Sequence, residues 1–201
     1  MMSVGILAVA ILVLAWWSGR REPVPAPAPR PFPSPPPSPQ PEPAPSPPPS
    51  VDAEAAARRL GAAPDVARAI AYWEQDRNIP AGLLVALVYV ESRFDPQARG
   101  SAGEVGLGQV TWQALIDVRR WVDTRYPHDP NRLVEVDYNL WAASGYLALC
   151  YQWAVRDLAK GLHDPTLDPW YVALAYYNAG PGDLTRGRAY AERVWSLWRS
   201  L

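Results

Sequence analysis

From Asp52 to the end of the chain, apolar residues recur at intervals of three and four. No sustained alternation marks a strand with one exposed face, so the pattern predicts an all-α domain. Pro64 suits a helix's first turn, and the spacing behind it runs to about Arg77. Pro80 opens the next helix, with Asn78 ahead of it as a cap. A third spans about Leu107 to Asp123 and stops before Pro127. A long one covers Tyr138 to Lys160, with Asp137 as cap and Gly161 as terminator. Another runs from Asp168-Pro169 to Asn178-Ala-Gly180, and the last covers roughly Arg188 to Arg199. The expectation is about seven helices around one core.

Ahead of this domain the pattern changes twice. Met1 to Trp17 is apolar apart from Ser3, and Trp16-Trp17 with Arg20-Arg21 supplies the aromatic and charged punctuation of a membrane interface. Seventeen residues of helix cover about 25 Å against a hydrocarbon core of ~30 Å. Residues 1-19 therefore predict a membrane anchor or a signal segment, and the lack of a small-x-small cleavage site favours the anchor. Arg20 and Arg21 would by charge alone stay in the cytoplasm, which opposes export. Sixteen of the 24 prolines fall between Glu22 and Ser50. Residues 20-50 thus form a linker that favours polyproline II and reaches about 90 Å. Residues 51-201 remain as the foldable domain.

Outside the leader and linker, sixteen basic and eighteen acidic residues leave a charge of −2, and no Lys/Arg cluster is denser than Arg119-Arg120 or Arg186-x-Arg188. Nucleic acid is excluded as a partner on that ground. A single cysteine, Cys150, and two histidines, His128 and His163, supply neither a disulfide framework nor a spaced metal site, so no metal or cofactor is expected. Cys150 lies in an apolar run and reads as a buried, inert thiol. Eight tryptophans and ten tyrosines follow Val51, with Phe94 the only phenylalanine there. Most belong to the core, and the surplus also suits a sugar-binding cleft.

One residue breaks the apolar stripe of the helix that starts at Pro80. Leu84, Leu87, Val88 and Glu91 follow i, i+3, i+4, i+7 spacing, which sets a carboxylate among apolar neighbours near the helix C-terminus. Desolvation and the negative end of the helix dipole both favour its protonated form. An outward-turned glutamate paired with Arg93 or Arg99 is the plain alternative. Glycines at 100, 103, 106 and 108 follow, closing on Gln109. Such density permits tight turns and close approach of backbone to a ligand. With no preceding strand and no lysine, the segment does not fit a phosphate-binding loop.

These blocks resemble the lytic transglycosylase family of the soluble-lytic-transglycosylase type. Glu91-Ser-Arg-Phe-Asp-Pro-Gln-Ala98 is similar to the family's Glu-Ser-x-Phe-Asn/Asp-Pro-x-Ala, and Gly103-Glu-Val-Gly-Leu-Gly-Gln109 to its Gly-Ala-x-Gly-Leu-Met-Gln. Asn139-Leu-Trp-Ala-Ala-Ser-Gly-Tyr-Leu147 resembles Asn-Ile-x-x-Gly-x-x-Tyr-Leu. Ala175-Tyr-Tyr-Asn-Ala-Gly-Pro-Gly182 resembles Ala-x-Tyr-Asn-Ala-Gly-Pro-Gly, and Tyr190-Ala-Glu-Arg-Val194 falls where a final Tyr-Val-x-x-Val helix stands. The resemblance implies a lysozyme-like fold acting on peptidoglycan glycan strands. Glu91 would be the catalytic acid and base, with Tyr177 reaching its carboxyl. Ser92, Ser101, Gly106, Leu107, Gln109 and Asn178 would bind substrate. Three departures stand out: Gly100 where a serine is frequent, Glu104 for alanine, and Gly108 for methionine.

A single acid is workable when the substrate supplies the nucleophile. Glu91 would protonate the glycosidic oxygen between MurNAc and GlcNAc, then accept the proton of the same sugar's 6-hydroxyl, giving 1,6-anhydroMurNAc ends. A muramidase that activates water with a second carboxylate, Glu104 or Asp95, is the alternative. A non-catalytic module for peptidoglycan binding or envelope assembly is a third reading. The implied setting is a membrane-anchored domain on the cell-wall side, exported or phage-associated. Wall remodelling, an envelope-spanning apparatus and phage machinery all suit an anchored domain on a spacer.

Overall fold

The computed structural model describes residues 51–201, and within them all regular structure is helical apart from two isolated bridges, Arg99 with Val105 and Val105 with Val110. The predicted anchor at 1–19 and the linker at 20–50 lie outside the described residues. None of the described helices is long and apolar enough to cross a membrane. In chain order the helices are α1 (Ala53–Arg59), α2 (Pro64–Asp76), α3 (Leu83–Ser92), α4 (Trp112–Trp121), α5 (Val136–Ala159), α6 (Pro169–Ala179) and α7 (Leu184–Trp198). A 3-10 turn at Pro130–Val134 leads into α5.

Helix starts follow local chemistry. Asp52, Thr111, Asp168 and Asp183 each accept a backbone N–H of the turn that follows, which satisfies donors the helix itself leaves free. Helix α3 has no such residue. Its N-terminal Gly82 takes φ +85°, and the buried Glu74 of α2 accepts from Gly82 (2.9 Å), Leu84 (2.7 Å) and Val85 (3.3 Å) instead. The predicted first residues of this helix, Pro80 to Gly82, consequently stay outside it, and Asn78 sits left-handed at φ +52° behind α2.

Every residue of α3 from Leu83 to Val88 is buried, and so is most of α5. These two, with α6, make the core on which the other helices pack. Helix α7 lies against α3 and α6. It approaches α6 so closely that a Cβ on Gly187 would stand 2.1 Å from the Ala175 carbonyl oxygen. Cys150 is fully buried, with burial pushing its thiol well up.

Candidate active site

Helix α3 ends at Glu91-Ser92 because the chain then turns through two left-handed residues, Arg93 at φ +54° and Phe94 at φ +65°, ahead of Pro96. Phe94 is buried and plugs the core beneath this turn. Glu91 is thereby held at the end of an apolar helix with its carboxyl facing a cavity of about 240 Å³. Burial pushes the carboxyl up to about 7, the negative charge of Glu104 adds to that, and a hydrogen bond from Tyr190 with the charge of Arg193 opposes it. Tyr190 Oη donates to Glu91 Oε1 at 2.6 Å. At neutral pH such a group exists in both forms, as a residue that gives and then takes a proton requires.

The glycine-rich segment folds into a hairpin-like loop that lines the cavity, with bridges of Val105 to Arg99 and Val110. Asn139 of α5, only 1% exposed, holds it from behind. Its side chain donates to Val105 O (2.8 Å) and Leu133 O (2.7 Å) and accepts from Gly108 N (2.8 Å). Gly106, at φ +76°, has no room for a side chain, since a Cβ would lie 2.4 Å from Asn139 Nδ2 and from Leu133 O. Ser92 Oγ donates to Leu107 O at 2.8 Å and ties the acid-bearing helix to the same loop.

The residues predicted from sequence separate into two groups. Glu91, Ser101, Glu104, Gln109, Tyr177 and Asn178 line the cavity with Gly100 and Thr111. Ser92, Gly106 and Leu107 do not line it. They lie behind it and shape the loop, Leu107 being fully buried. Asp95 is exposed and accepts from Gln97 N at 2.8 Å, turned to its own loop and away from the cavity. The hydroxyl of Tyr177 donates to Gly108 O (2.7 Å), so it secures the loop, while the hydroxyl on Glu91 belongs to Tyr190. Tyr190 carried a signal in the final-helix block, but position alone did not show where its hydroxyl points.

Gly108 also has a counterpart that the loop sequence alone does not reveal. A Cβ there would lie 2.4 Å from Ala143 Cβ and 3.0 Å from Tyr177 Oη. Ala143 occupies the place of the scaffold motif's glycine, so the methyl of α5 fills space that a side chain at 108 would need. The spacing predicts a third helix from about Leu107. It starts at Trp112 because Leu107 and Val110 are buried from an irregular loop, and Thr111 caps the helix.

In Tyr190→Phe the anion of Glu91 loses its donor, and the pKa of Glu91 rises further. The alkaline limb of the pH–activity profile should move to higher pH with a loss of about tenfold in kcat, the scale of one charge-assisted hydrogen bond. An unmoved profile in the folded variant would detach Tyr190 from the acid.

Among the described residues no group of three or more His, Cys, Asp or Glu is placed to hold a metal ion. The cavity lining is polar, has two carboxyl groups and includes no lysine or arginine. The fold and the site together define a helical domain with an acid-bearing, polar cleft. Within that class, residues 68–194 match the transglycosylase SLT domain, and the chain belongs to that family. It is also 30% identical over 142 residues to the membrane-bound lytic murein transglycosylase F 2 of Alkalilimnicola ehrlichii. The match takes in 70% of this chain and 28% of that protein, so the chain spans little more than a quarter of the curated relative it matches.

Proposed function

We propose that the domain is a peptidoglycan lytic transglycosylase of lysozyme-like fold, which cleaves the MurNAc-GlcNAc β-1,4 bond and leaves 1,6-anhydroMurNAc ends. The observation that carries this reading is Glu91, a partly buried acid held up to about 7 at the edge of a polar cavity. Its proton goes to the glycosidic oxygen, and the electron pair of the breaking bond leaves with that oxygen. The carboxylate so formed, with Tyr190 on one oxygen, then takes the proton of the sugar's 6-hydroxyl as that oxygen bonds to the anomeric carbon. Ser101, Gln109 and Asn178 are the side chains available to bind the strand. Family membership and the name of the A. ehrlichii relative support the same reading.

A second reading, a muramidase in which water attacks, is favoured by one observation: Glu104 lines the same cavity as Glu91. Asp95, turned away, does not serve it. A role limited to glycan binding is opposed by the raised acid. We further propose that residues 1-19 anchor the chain in a membrane with the domain on the wall side, where an envelope-spanning or phage assembly would use it.

The test is mass spectrometry of the muropeptides released from purified peptidoglycan by the full chain. Products lighter by one water than hydrolytic ones support the transglycosylase, and reducing ends would replace it with the muramidase.

A further inference from the structure

Position 100 has no side chain, and its space is taken. A Cβ built on Gly100 would stand 2.2 Å from Glu104 Oε2, 2.8 Å from Glu104 Cδ and 2.9 Å from Gln109 Oε1. The carboxylate of Glu104 therefore fills the volume of a residue-100 side chain. The bare position at 100 and the glutamate at 104 fit one another, since the carboxylate stands where a Cβ at 100 would need room. The loop fixes the group in place. Gly100 N donates to Glu104 O at 2.9 Å, and Ala102 N donates to Glu104 Oε2 at 2.9 Å.

The cavity this carboxylate faces gives it no cation. Ser101, Gln109, Thr111, Tyr177 and Asn178 are its other polar neighbours, and among the described residues no salt bridge includes Glu104. A carboxylate held at the wall of the cleft is complementary to a sugar ring that turns positive at its anomeric carbon.

We propose that Glu104 is a second working carboxylate of this cleft, which stabilises the positive charge developing on the scissile sugar. It transfers no proton and forms no bond. Glu91 gives the proton, the leaving oxygen keeps the electron pair, and the incoming hydroxyl supplies the new one. The role rests on the reading of the cleft as glycan-cleaving. Glu104 has a second effect, on Glu91 itself. The groups that face Glu91 are Glu104 from the loop, Tyr177 from α6, and Tyr190 and Arg193 from α7, while Tyr146 and Cys150 of α5 stand next to Tyr177. Glu104 is the one that adds negative charge, and so favours the proton-donating form.

The experiment is steady-state cleavage of purified peptidoglycan by the full chain and by Glu104→Gln, from pH 4 to pH 9, with product masses. Glutamine keeps an oxygen for Ala102 N, so the loop is retained. The expected result is a fall in kcat on the order of 100-fold, KM nearly unchanged, and an alkaline limb moved to lower pH as Glu91 loses its negative neighbour. Gly100→Ser, which pushes the carboxylate aside without removing it, should lower kcat in the same direction. Cleavage by wild type that Glu104→Gln leaves unaltered in kcat and pH profile overturns the role of Glu104 alone. Wild type that releases no muropeptide overturns the glycan-cleaving reading and this role with it. Reducing ends from wild type that disappear with Glu104→Gln overturn charge stabilisation in favour of water activation by Glu104.

Discussion

Glu91→Gln is expected to lower glycan cleavage by about 10³-fold, the scale of a positioned general acid and base, and at the same time to make the domain more stable above neutral pH. The two effects have one cause. The carboxyl of Glu91 is pushed from 4.5 to about 7 in the folded protein, mainly by burial. The fold therefore prefers the protonated form. Below pH 4.5 the residue is neutral in folded and unfolded chains alike and its stabilisation is fully present. Between pH 4.5 and 7 the unfolded chain ionises first, so stability falls, and above pH 7 the loss is complete at about 3 kcal/mol. Glutamine has the same shape and no proton to lose, and its oxygen still accepts from Tyr190. Thermal unfolding at pH 8 should show a gain of roughly 5–10 °C for a domain of this size, with little difference at pH 4. Muropeptide release near the wild-type rate would remove Glu91 from the chemistry. Lost activity with no gain in stability at pH 8 would instead mean that the acid works from a solvated position.

Elements with strong local signals were legible in the chain. The periodicity and terminal glycine of α5 placed it at Tyr138 to Lys160 against an observed Val136–Ala159, and Pro64 and Asp168-Pro169 fixed two other starts to within a residue. The errors lie where a distant contact decides. Asp137 reads as a cap, but it sits inside the first turn and accepts from Trp73 of α2 and from Tyr126. The spacing predicts the last helix only from about Arg188. It begins at Leu184, and Gly187 is there because the backbone of α6 leaves no space for a Cβ. The acid was legible because a carboxylate interrupts an apolar stripe. The Tyr190 hydroxyl on it, the fit of Gly100 to Glu104 and that of Gly108 to Ala143 were not, since each joins positions whose meeting only the folded chain displays. Glu74 was invisible for the same reason: it caps α3 from another helix.

Removing that cap should produce a large stability loss, because it starts a helix of the core. Glu74 is 3% exposed and is the shared acceptor for the N–H groups of Gly82, Leu84 and Val85. In Glu74→Ala three buried donors lose their partner and a cavity opens beside them. At ~1–3 kcal/mol for each unsatisfied group, partly relieved by entering water, the loss should be about 4 kcal/mol. That is a large part of the ~5–15 kcal/mol a domain possesses. Glu74→Gln retains one acceptor oxygen and turns an amide N–H₂ toward another donor, so about half the loss is expected. Urea unfolding followed by far-UV circular dichroism reads both. Because the same helix carries Glu91 at its other end, cleavage per folded molecule should also fall in Glu74→Ala, with the acid displaced and not removed. Burial holds Glu74 itself up at about 7 against the pull of its three N–H partners, so its ionisation opposes folding over the same interval, pH 4.5 to 7. Glutamine at 74 should flatten one part of the wild-type decline and glutamine at 91 the other. A decline that survives intact in Glu74→Gln assigns it to Glu91 alone, and a Glu74→Ala variant within 1 kcal/mol of wild type would mean that water, and not this carboxylate, starts the helix.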